Sequence, residues 1–345
     1  MPLNSSLVRT PSHLVIAAGI PIPGVMDLDV HANSHLAADR FRIRAAMTAA
    51  AAASLLQPDT ILDLRIGLDG PPVSILVGEA DSIVIDPLRN TIELEGRDLT
   101  RRLLDARTQE TFANQTSSEI AATLATRHGL TPSVTATTTL AGRYYDTEHD
   151  CFTLAQFARA TTEWDLLSFL AAREGFEVFV TAQTLHFHPR SDTVPSVTIT
   201  PADCISLSLE RALTLARDIE VTVKSWSTRQ QAAVVQTARR ARNGKHGSGG
   251  PPQQIVVVRP NLSSSDALAL AQRILADLSG HERLVHAELP GDLILTPRSR
   301  VVLTGTDTDF DQVYYIAELD RSYSAAHGFT QRLRLKNADP RSSGA

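Results

Sequence analysis

Only two cysteines occur in 345 residues, Cys151 and Cys204, with no second metal ligand near either. That scarcity excludes a disulfide-stapled scaffold and a zinc knuckle, and the pair reads as free thiols rather than a bridge. Long hydrophobic runs are missing as well. The longest, Ala45 to Leu56, contains Thr48 and Ser54 and falls short of the ~20 residues a helix needs to cross a bilayer. The apolar stretch Leu14 to Val30 is broken by Pro21 and Pro23, and no basic segment precedes an unbroken apolar core, so no secretory signal is expected. A basic excess is absent too. With 33 basic and 38 acidic residues the net charge is −5, which repels nucleic acid phosphates rather than gathering them. The expectation is a protein made in the cytoplasm, without membrane insertion.

What is present suits a globular chain: 43% hydrophobic and 21% charged residues. At this length a single core stops growing, so two or three domains are expected. The first hundred residues read as strands. Phe41, Ile43 and Ala45 alternate with Arg40, Arg42 and Arg44; Ile61 to Ile66 alternates before the Asp69-Gly70-Pro71-Pro72 turn; Val73 to Ile85 and Thr91 to Glu95 are joined through Asp86 to Asn90.

From Leu99 to Pro189 helices enter. Thr116-Ser117-Ser118-Glu119 is a capping box, followed by the apolar face Ile120, Ala121, Leu124, Ala125 and ended by Gly129. A second helix is expected over Thr153 to Thr161. A third starts at Glu163, packs Leu166, Leu167, Leu170 and Ala171 on one face, and stops at Gly175, which favours the left-handed conformation. It feeds a hairpin of Phe176 to Val180 and Thr184 to His188 through a turn at Thr181 to Gln183, with Pro189 as its stop.

Beyond Arg190 strands return at Ser196–Ile199, Ile205–Leu209, Asp218–Trp226, Ile255–Val258, Leu284–Leu289, Ser299–Leu303, Val313–Leu319 and Thr330–Leu335, with one helix over Ser264–Ser279 stopped by Gly280. The Gly- and Pro-rich stretch Ala241 to Pro252 is expected to be mobile. The two β-rich ends resemble each other: Gly67 stands 14 residues before Asp81, Gly305 stands 15 before Asp320, and each pair is followed by a turn and a last alternating strand.

Chemistry-bearing residues are scattered. His186 and His188 share one strand face but lack a third ligand at a fitting spacing, and they read as a solvent-facing pair. His281-Glu282 superficially suggests a zinc protease helix, yet His286 follows at five residues rather than four. His149-Asp150-Cys151 places nucleophile, base and acid side by side, where neighbouring side chains point apart. Gly244 to Gly250 lacks phosphate-loop spacing and a following helix. Glu79 with Asp81, and Asp307 with Asp309, read as solvated acids. Arg239, Arg240, Arg242 and Lys245 form the one basic cluster, read as a solubilising loop, or as an arm for an acidic partner or nucleic acid; no aromatic is interleaved to stack bases. No residue is assigned as catalytic, cofactor-binding or metal-ligating, and no cofactor is expected.

Several segments together resemble the phage tail baseplate hub family, the late control protein D family that includes Mu-like tail hubs. They are Glu95-Gly96-Arg97-Asp98-Leu99-Thr100 with Leu103-Leu104-Asp105, Phe112 to Ala121, the Trp164 to Phe187 helix and hairpin, and Phe310 to Ile316 with Gly328-Phe329. The resemblance implies a β-rich α+β fold: two tail-tube-like antiparallel β-barrels with an inserted small α/β domain. The expected divisions are a first barrel over 1–105, the insert over 106–190, a second barrel over 191–337 with one helix (263–280) and a flexible loop (240–253), and a tail over 338–345. The implied role is structural and non-enzymatic: a homotrimer whose two barrels per chain present six similar surfaces to a sixfold tail tube and three to a central spike. Its partners would be the tube or a distal tube-initiator protein, the spike and baseplate wedge proteins, with phage DNA passing transiently through a neutral or acidic lumen. It would reside in the virion, in the tail baseplate, after assembly in the host bacterial cytoplasm. A cell-wall-degrading tail enzyme, and the hub of a phage-like contractile injection system, are the alternatives.

Overall fold

In the computed structural model, residues 10–34, 36–107, 110, 112, 114–138, 140–141, 162–190, 196–215, 218–227, 232–240, 252–259 and 262–337 are described. The helix expected over Thr153 to Thr161, nearly all of the Gly-rich loop, and the C-terminal tail lie outside them.

The first group of elements is β1 (Pro11–Ala17), β2 (Ile20–Pro21), β3 (Val25–Asn33), β4 (Arg40–Ala46), α1 (Ala49–Leu55), β5 (Ile61–Leu68), β6 (Val73–Asp86) and β7 (Thr91–Asp98). The second is α2 (Thr100–Asp105), β8 (Gln115–Thr116), α3 (Ser117–Arg127), β9 (Thr131–Val134), β10 (Leu140–Ala141), α4 (Glu163–Glu174), β11 (Phe176–Thr181) and β12 (Thr184–Pro189). The third is β13 (Ser196–Ile199), β14 (Ser206–Arg211), β15 (Ile219–Ser227), β16 (Ala232–Arg240), β17 (Gln253–Val258), α5 (Ser264–Ser279), β18 (Arg283–Pro290), β19 (Arg300–Leu303), β20 (Val313–Ser324) and β21 (Gly328–Asn337). The fold is β-rich α+β, dominated by large antiparallel sheets.

Thirteen strands from the first and third groups form one sheet, β14-β18-β21-β20-β3-β4-β7-β6-β5-β1-β2, with β19 joining β20 and β13 joining β19. The same neighbour order occurs in it twice. Around the first core it runs β3-β4-β7-β6-β5-β1, and around the second β14-β18-β21-β20-β19-β13. Only the last pair differs in sense, β1–β5 being antiparallel and β13–β19 parallel. The two halves meet where β20 pairs with β3, from Glu318 opposite Asn33 to Ser324 opposite Asp27.

Alternation explains which face each strand buries. Phe41, Ile43 and Ala45 of β4 point inward with Leu28, Leu64 and Leu94, while Arg40, Arg42 and Arg44 point outward. In the second half Val285, Val301, Ile316 and Leu335 do the same. Each such side chain contributes about 1.5–3 kcal/mol through burial. Residue Gly96 is fixed by close approach: a Cβ there would sit 2.2 Å from the Glu79 carbonyl oxygen and 2.4 Å from Phe41 Cζ, beside a β-bulge between Ala80 and Ser82 that bends β6.

The insert has its own core, in which α3 and α4 pack on the β11-β12-β9 sheet. Both helices carry capping boxes, Thr116 with Glu119 and Thr162 with Asp165, and Gly175 caps α4 at φ 71°. The hairpin turn is tighter than expected. Thr181 pairs with Thr184, leaving two loop residues, with Ala182 at φ 50°, the positive φ that a short hairpin's twist demands.

Residues 219–279 also differ from expectation. They do not extend the second barrel: β15, β16 and β17 form a separate sheet with α5 on one face and a fourth core. The strand β16 lies where only a connection was anticipated, because its Ala-Ala-Val-Val-Gln-Thr-Ala sequence carries no sharp polar alternation.

Insert and first half meet at a buried acid. Asp98, 7% exposed, accepts from the Thr100 hydroxyl through Oδ2 at 2.9 Å, whereas its Oδ1 is buried without a partner. Burial and the nearby Asp39 carboxylate push its pKa well above the ordinary carboxylate range, and burial pushes Asp39 up to about 6. Arg298 stands near both and stacks 3.3 Å above the Phe179 ring of the insert. A carboxyl whose folded pKa exceeds its unfolded one stabilises below the unfolded value, and that contribution is lost as pH rises through the folded value. Urea unfolding is therefore expected to show the wild type losing stability between pH 4 and about 7, while Asp98→Asn gains about 1–2 kcal/mol at pH 8 and nothing at pH 4.

Candidate functional site

The outward face of strands β18, β21, β20, β3, β4, β7 and β6 curves into a trough of about 1020 Å³. Alternation delivers every second residue of each strand to it, and register sorts their charges. One cross-strand row reads Glu288, Arg332, Asp320, His31, Arg40, Arg97. The next reads Ser322, Asp29, Arg42, Glu95, and the third Ser324, Asp27, Arg44, Glu93. Acidic β3 thus lies beside basic β4, which lies beside acidic β7.

Opposite charges meet across most of these strands. Arg44 reaches Asp27 at 2.6 Å, Arg42 reaches Glu93 at 2.7 Å, and Arg334 reaches Glu318 at 3.0 Å. Arg97 spans from Asp81 at 2.7 Å to Asp105 at 3.2 Å. At the seam between halves, His31 Nδ1 pairs with Asp320 and the Ser322 hydroxyl donates to Asp29 at 2.6 Å. The hydrogen bond to Asp320 raises the His31 pKa above its ordinary value, the bond from Arg97 holds Asp81 below the usual carboxylate range, and that from Arg42 does the same for Glu93. Such solvated pairs contribute only about 0–1 kcal/mol each. Their chief effect is electrostatic: a polyanion crossing this face meets mostly paired cations, Arg40 being one without an ion-pair partner among the described residues.

The residues singled out by sequence are not brought together. His186 and His188 do share a face, with ring centroids 5.8 Å apart, but His186 stacks on Phe179 beneath Arg298, half-buried rather than solvated, and burial lowers its pKa. Among the described residues no group of three or more His, Cys, Asp or Glu side chains could hold a metal. His281 closes α5 through the Asp277 carbonyl at 2.9 Å, Glu282 is fully buried against Arg240 and Arg211, and His286 stands on β18 beside Glu210. Glu79 is not a solvated acid. It is 2% exposed and held by Arg101 and Arg102, because α2 folds over the middle of β6. Asp309 neutralises the buried Arg283 at 2.5 Å.

Of the basic cluster, Arg239 pairs with Glu220 at 2.9 Å and Arg240 with Glu282 at 2.5 Å, while Arg242, Lys245, Gly244 to Gly250 and His149-Asp150-Cys151 lie outside the described residues. The trough itself escaped the sequence because its rows join residues some 290 positions apart; the alternation of Arg40, Arg42 and Arg44 was the one visible signal.

The family described as the Alg8 N-terminal domain matches residues 47–251. None of the curated proteins matches the chain. Solved structures share its fold across nearly its whole length. A tail protein from Neisseria meningitidis is 17% identical with a TM-score of 0.69, covering 97% of this chain and 99% of its own. A 43 kDa tail protein of prophage MuSo2 from Shewanella oneidensis is 16% identical with a TM-score of 0.71, covering 96% and 99%. An Escherichia coli type VI secretion component, described as similar to T4 bacteriophage tail proteins, is 11% identical with a TM-score of 0.57, covering 94% and 77%. The fold is thus one shared with phage and prophage tail proteins and with a type VI secretion component.

The charge rows give a paired test of the trough. Arg42→Glu places three acids in one cross-strand row and is expected to cost about 1 kcal/mol at low salt, less at high salt. Arg40→Glu separates His31 from Arg97 and is expected to change stability by less than about 0.5 kcal/mol. Urea titration at two ionic strengths reads both.

Proposed function

The chain belongs to the Alg8 N-terminal domain family over residues 47–251, and from its repeated tail-protein fold we infer that it is the structural, non-enzymatic hub of a phage tail baseplate. In this reading three copies form a closed ring that adapts a sixfold tail tube to a threefold central spike, and the trough lines the channel through which DNA passes.

One observation carries the reading. Within the chain, β20 gives its first residues to β19 and its last, Glu318–Ser324, to β3. Its counterpart β6 gives its first residues to β5, up to Glu79, but beyond the bulge Ser82–Asp86 bonds, among the described residues, only to β7 and leaves its outer edge free. The counterpart of β3 is β14, which is likewise an open edge. Repeating the β20–β3 contact between chains sets the free end of β6 against β14 of the next copy. In this reading the same step, applied around a cycle of three chains, makes six quasi-equivalent halves.

The two rims of that ring differ. The hairpin turns between β6 and β7 and between β20 and β21 fall at one rim and repeat in both halves. The insert leaves β7 at Asp98, and the β15–α5 module leaves β14 at Arg211 and returns at Arg283, both at the opposite rim and once per chain. A rim with a feature in every half suits a sixfold tube or tube-initiator protein, and a rim with features once per chain suits a threefold spike. Baseplate wedge proteins would contact the outside of the ring, in a virion baseplate assembled in the host cytoplasm. We keep the division at about residues 105 and 190, with the β15–α5 module as an excursion of the second barrel.

The glycosyltransferase-related family name supports a second reading, a carbohydrate-active tail protein. Yet the matched span starts just after β4 and stops between β16 and β17, so it splits the first core and the fourth and coincides with no single unit of this fold. The likeness to the type VI component equally supports the hub of an injection system.

Cysteines placed along Ile83–Ile85 and along β14, with Cys151 and Cys204 replaced by serine, are expected to give covalent trimers on oxidation, most strongly with tube and spike proteins present. Only dimers, or no cross-link with both partners bound, would refute the ring. A lysis zone on a cell-wall zymogram, lost on changing one trough carboxylate, would favour the enzyme.

A further inference from the structure

The β15–α5 module carries a surface that the ring does not use. Its sheet buries Ile219, Val221, Val223 and Ala238 under α5. The other face is open, and there the polar side chains expected of a solvated sheet are partly replaced by apolar ones: Trp226 is 52% exposed, Val235 53%, Val256 54% and Val258 68%. Register groups them. Lys224 stands between Val235 and Val258 in one cross-strand row, and Thr222 stands between Thr237 and Val256 in the next. Among the described residues nothing pairs with the outer edge of β17 or with that of β16.

Charge narrows what can sit there. Arg239 is neutralised by Glu220. Lys224 in the middle of the patch and Arg259 just past β17 are both exposed, and neither has an ion-pair partner among the described residues. Two cations set among four large apolar side chains are too few to hold a phosphate backbone, which is gripped by several at once. They suit a segment that brings apolar side chains to the valines and carboxylates to the ammonium and guanidinium. A strand with a free edge and alternating exposed valines bonds such a segment through its backbone, with pockets for every second side chain.

We propose that β17 and the open face of this module form a docking site for an extended acidic segment of another protein, added as a further strand along β17, whose residues on the open-face side are apolar against Val256 and Val258 and toward Trp226 and include a carboxylate that reaches across β17 to Lys224. The site lies on the module and away from the edges of β6 and β14, so its failure would leave the ring reading intact, and failure of the ring would leave the site intact.

Trp226 is a built-in reporter, since the other tryptophan, Trp164, is 2% exposed. The probe is the capped heptapeptide Val-Thr-Glu-Thr-Val-Thr-Glu, whose valines and glutamates fall on one strand face, added to the full chain, with acrylamide quenching as the readout. Protection of Trp226 is expected, with the matched valine–lysine peptide weaker by about tenfold and Lys224→Glu reversing that order. The double variant Val256→Thr, Val258→Thr keeps β-branched strand residues and is expected to lose protection while Trp164 emission and circular dichroism stay unchanged. Equal binding of the two peptides, no protection by either, or indifference to Lys224→Glu would overturn the proposal. Protection that grows with protein concentration alone would also overturn it, in favour of a second copy of this chain.

Discussion

The ladder between β20 and β3 is the contact on which the architecture turns. It pairs residues separated by nearly the length of the chain, Asp320 with His31 among them. Its backbone bonds are each worth only about 0.5–1.5 kcal/mol net, so its importance is geometric rather than energetic. Without it the chain would hold two small curled sheets, each with edges of its own. With it those edges merge and the outward faces of both halves become one trough, while β14 and the far part of β6 remain among the free edges of the sheet. Both are tempered as natural edges are. The free stretch of β6 is short and flanked by Asp81 and Asp86, and β14 alternates Ser206, Ser208 and Glu210 along its length.

The trough follows from that ladder because register is set to single residues. A slip by one at β20–β3 would turn Leu28, Val30, Leu319 and Tyr323 outward and bury Asp29, His31 and Asp320. Once register is fixed, the charges cannot be arranged freely: strands bearing one sign must alternate with strands bearing the other, or like charges stand about 5 Å apart. The observed order, acidic β3, basic β4, acidic β7, meets that demand. The one place it is broken, where His31, Arg40 and Arg97 adjoin, is relieved by Asp320 and Asp81 from the strands on either side. Stability of the sheet and weak attraction for polyanions therefore come from the same pattern, since a cation committed to a neighbouring carboxylate is not available to a phosphate.

Local signals were legible in the sequence, and pairings were not. The capping box at Thr116, the Gly175 stop, the helix over Ser264–Ser279 and the strand Ser196–Ile199 follow from residue chemistry within one or two turns. The likeness of the two β-rich ends was visible as glycine-to-aspartate spacings, and the repeated neighbour order gives those spacings a structural form. What could not be read is anything that depends on a distant strand. Glu79 reads as a surface acid until α2 folds over it, and Arg239 and Arg240 read as part of a solubilising basic loop until Glu220 and Glu282 arrive from elsewhere in the fold. The strand β16 was missed for the opposite reason: its small, weakly alternating side chains need β15 to define which face is which.

Insertions into such a repeated sheet are constrained by the ladder itself. A segment added inside a strand would shift register and turn the trough inside out, so added structure must enter where strands end. Both additions in this chain do so, after Asp98 and after Arg211, and both at the same rim. In the first half, β3 and β4 are joined at that rim by residues 34–39 alone, whereas their counterparts β14 and β18 are separated by the whole module. The two halves thus stay alike where they bond to each other and diverge where they do not. The rim of the β6–β7 and β20–β21 hairpins differs between the halves by little more than α1, which has no helical counterpart between β18 and β19, while the opposite rim carries both large additions.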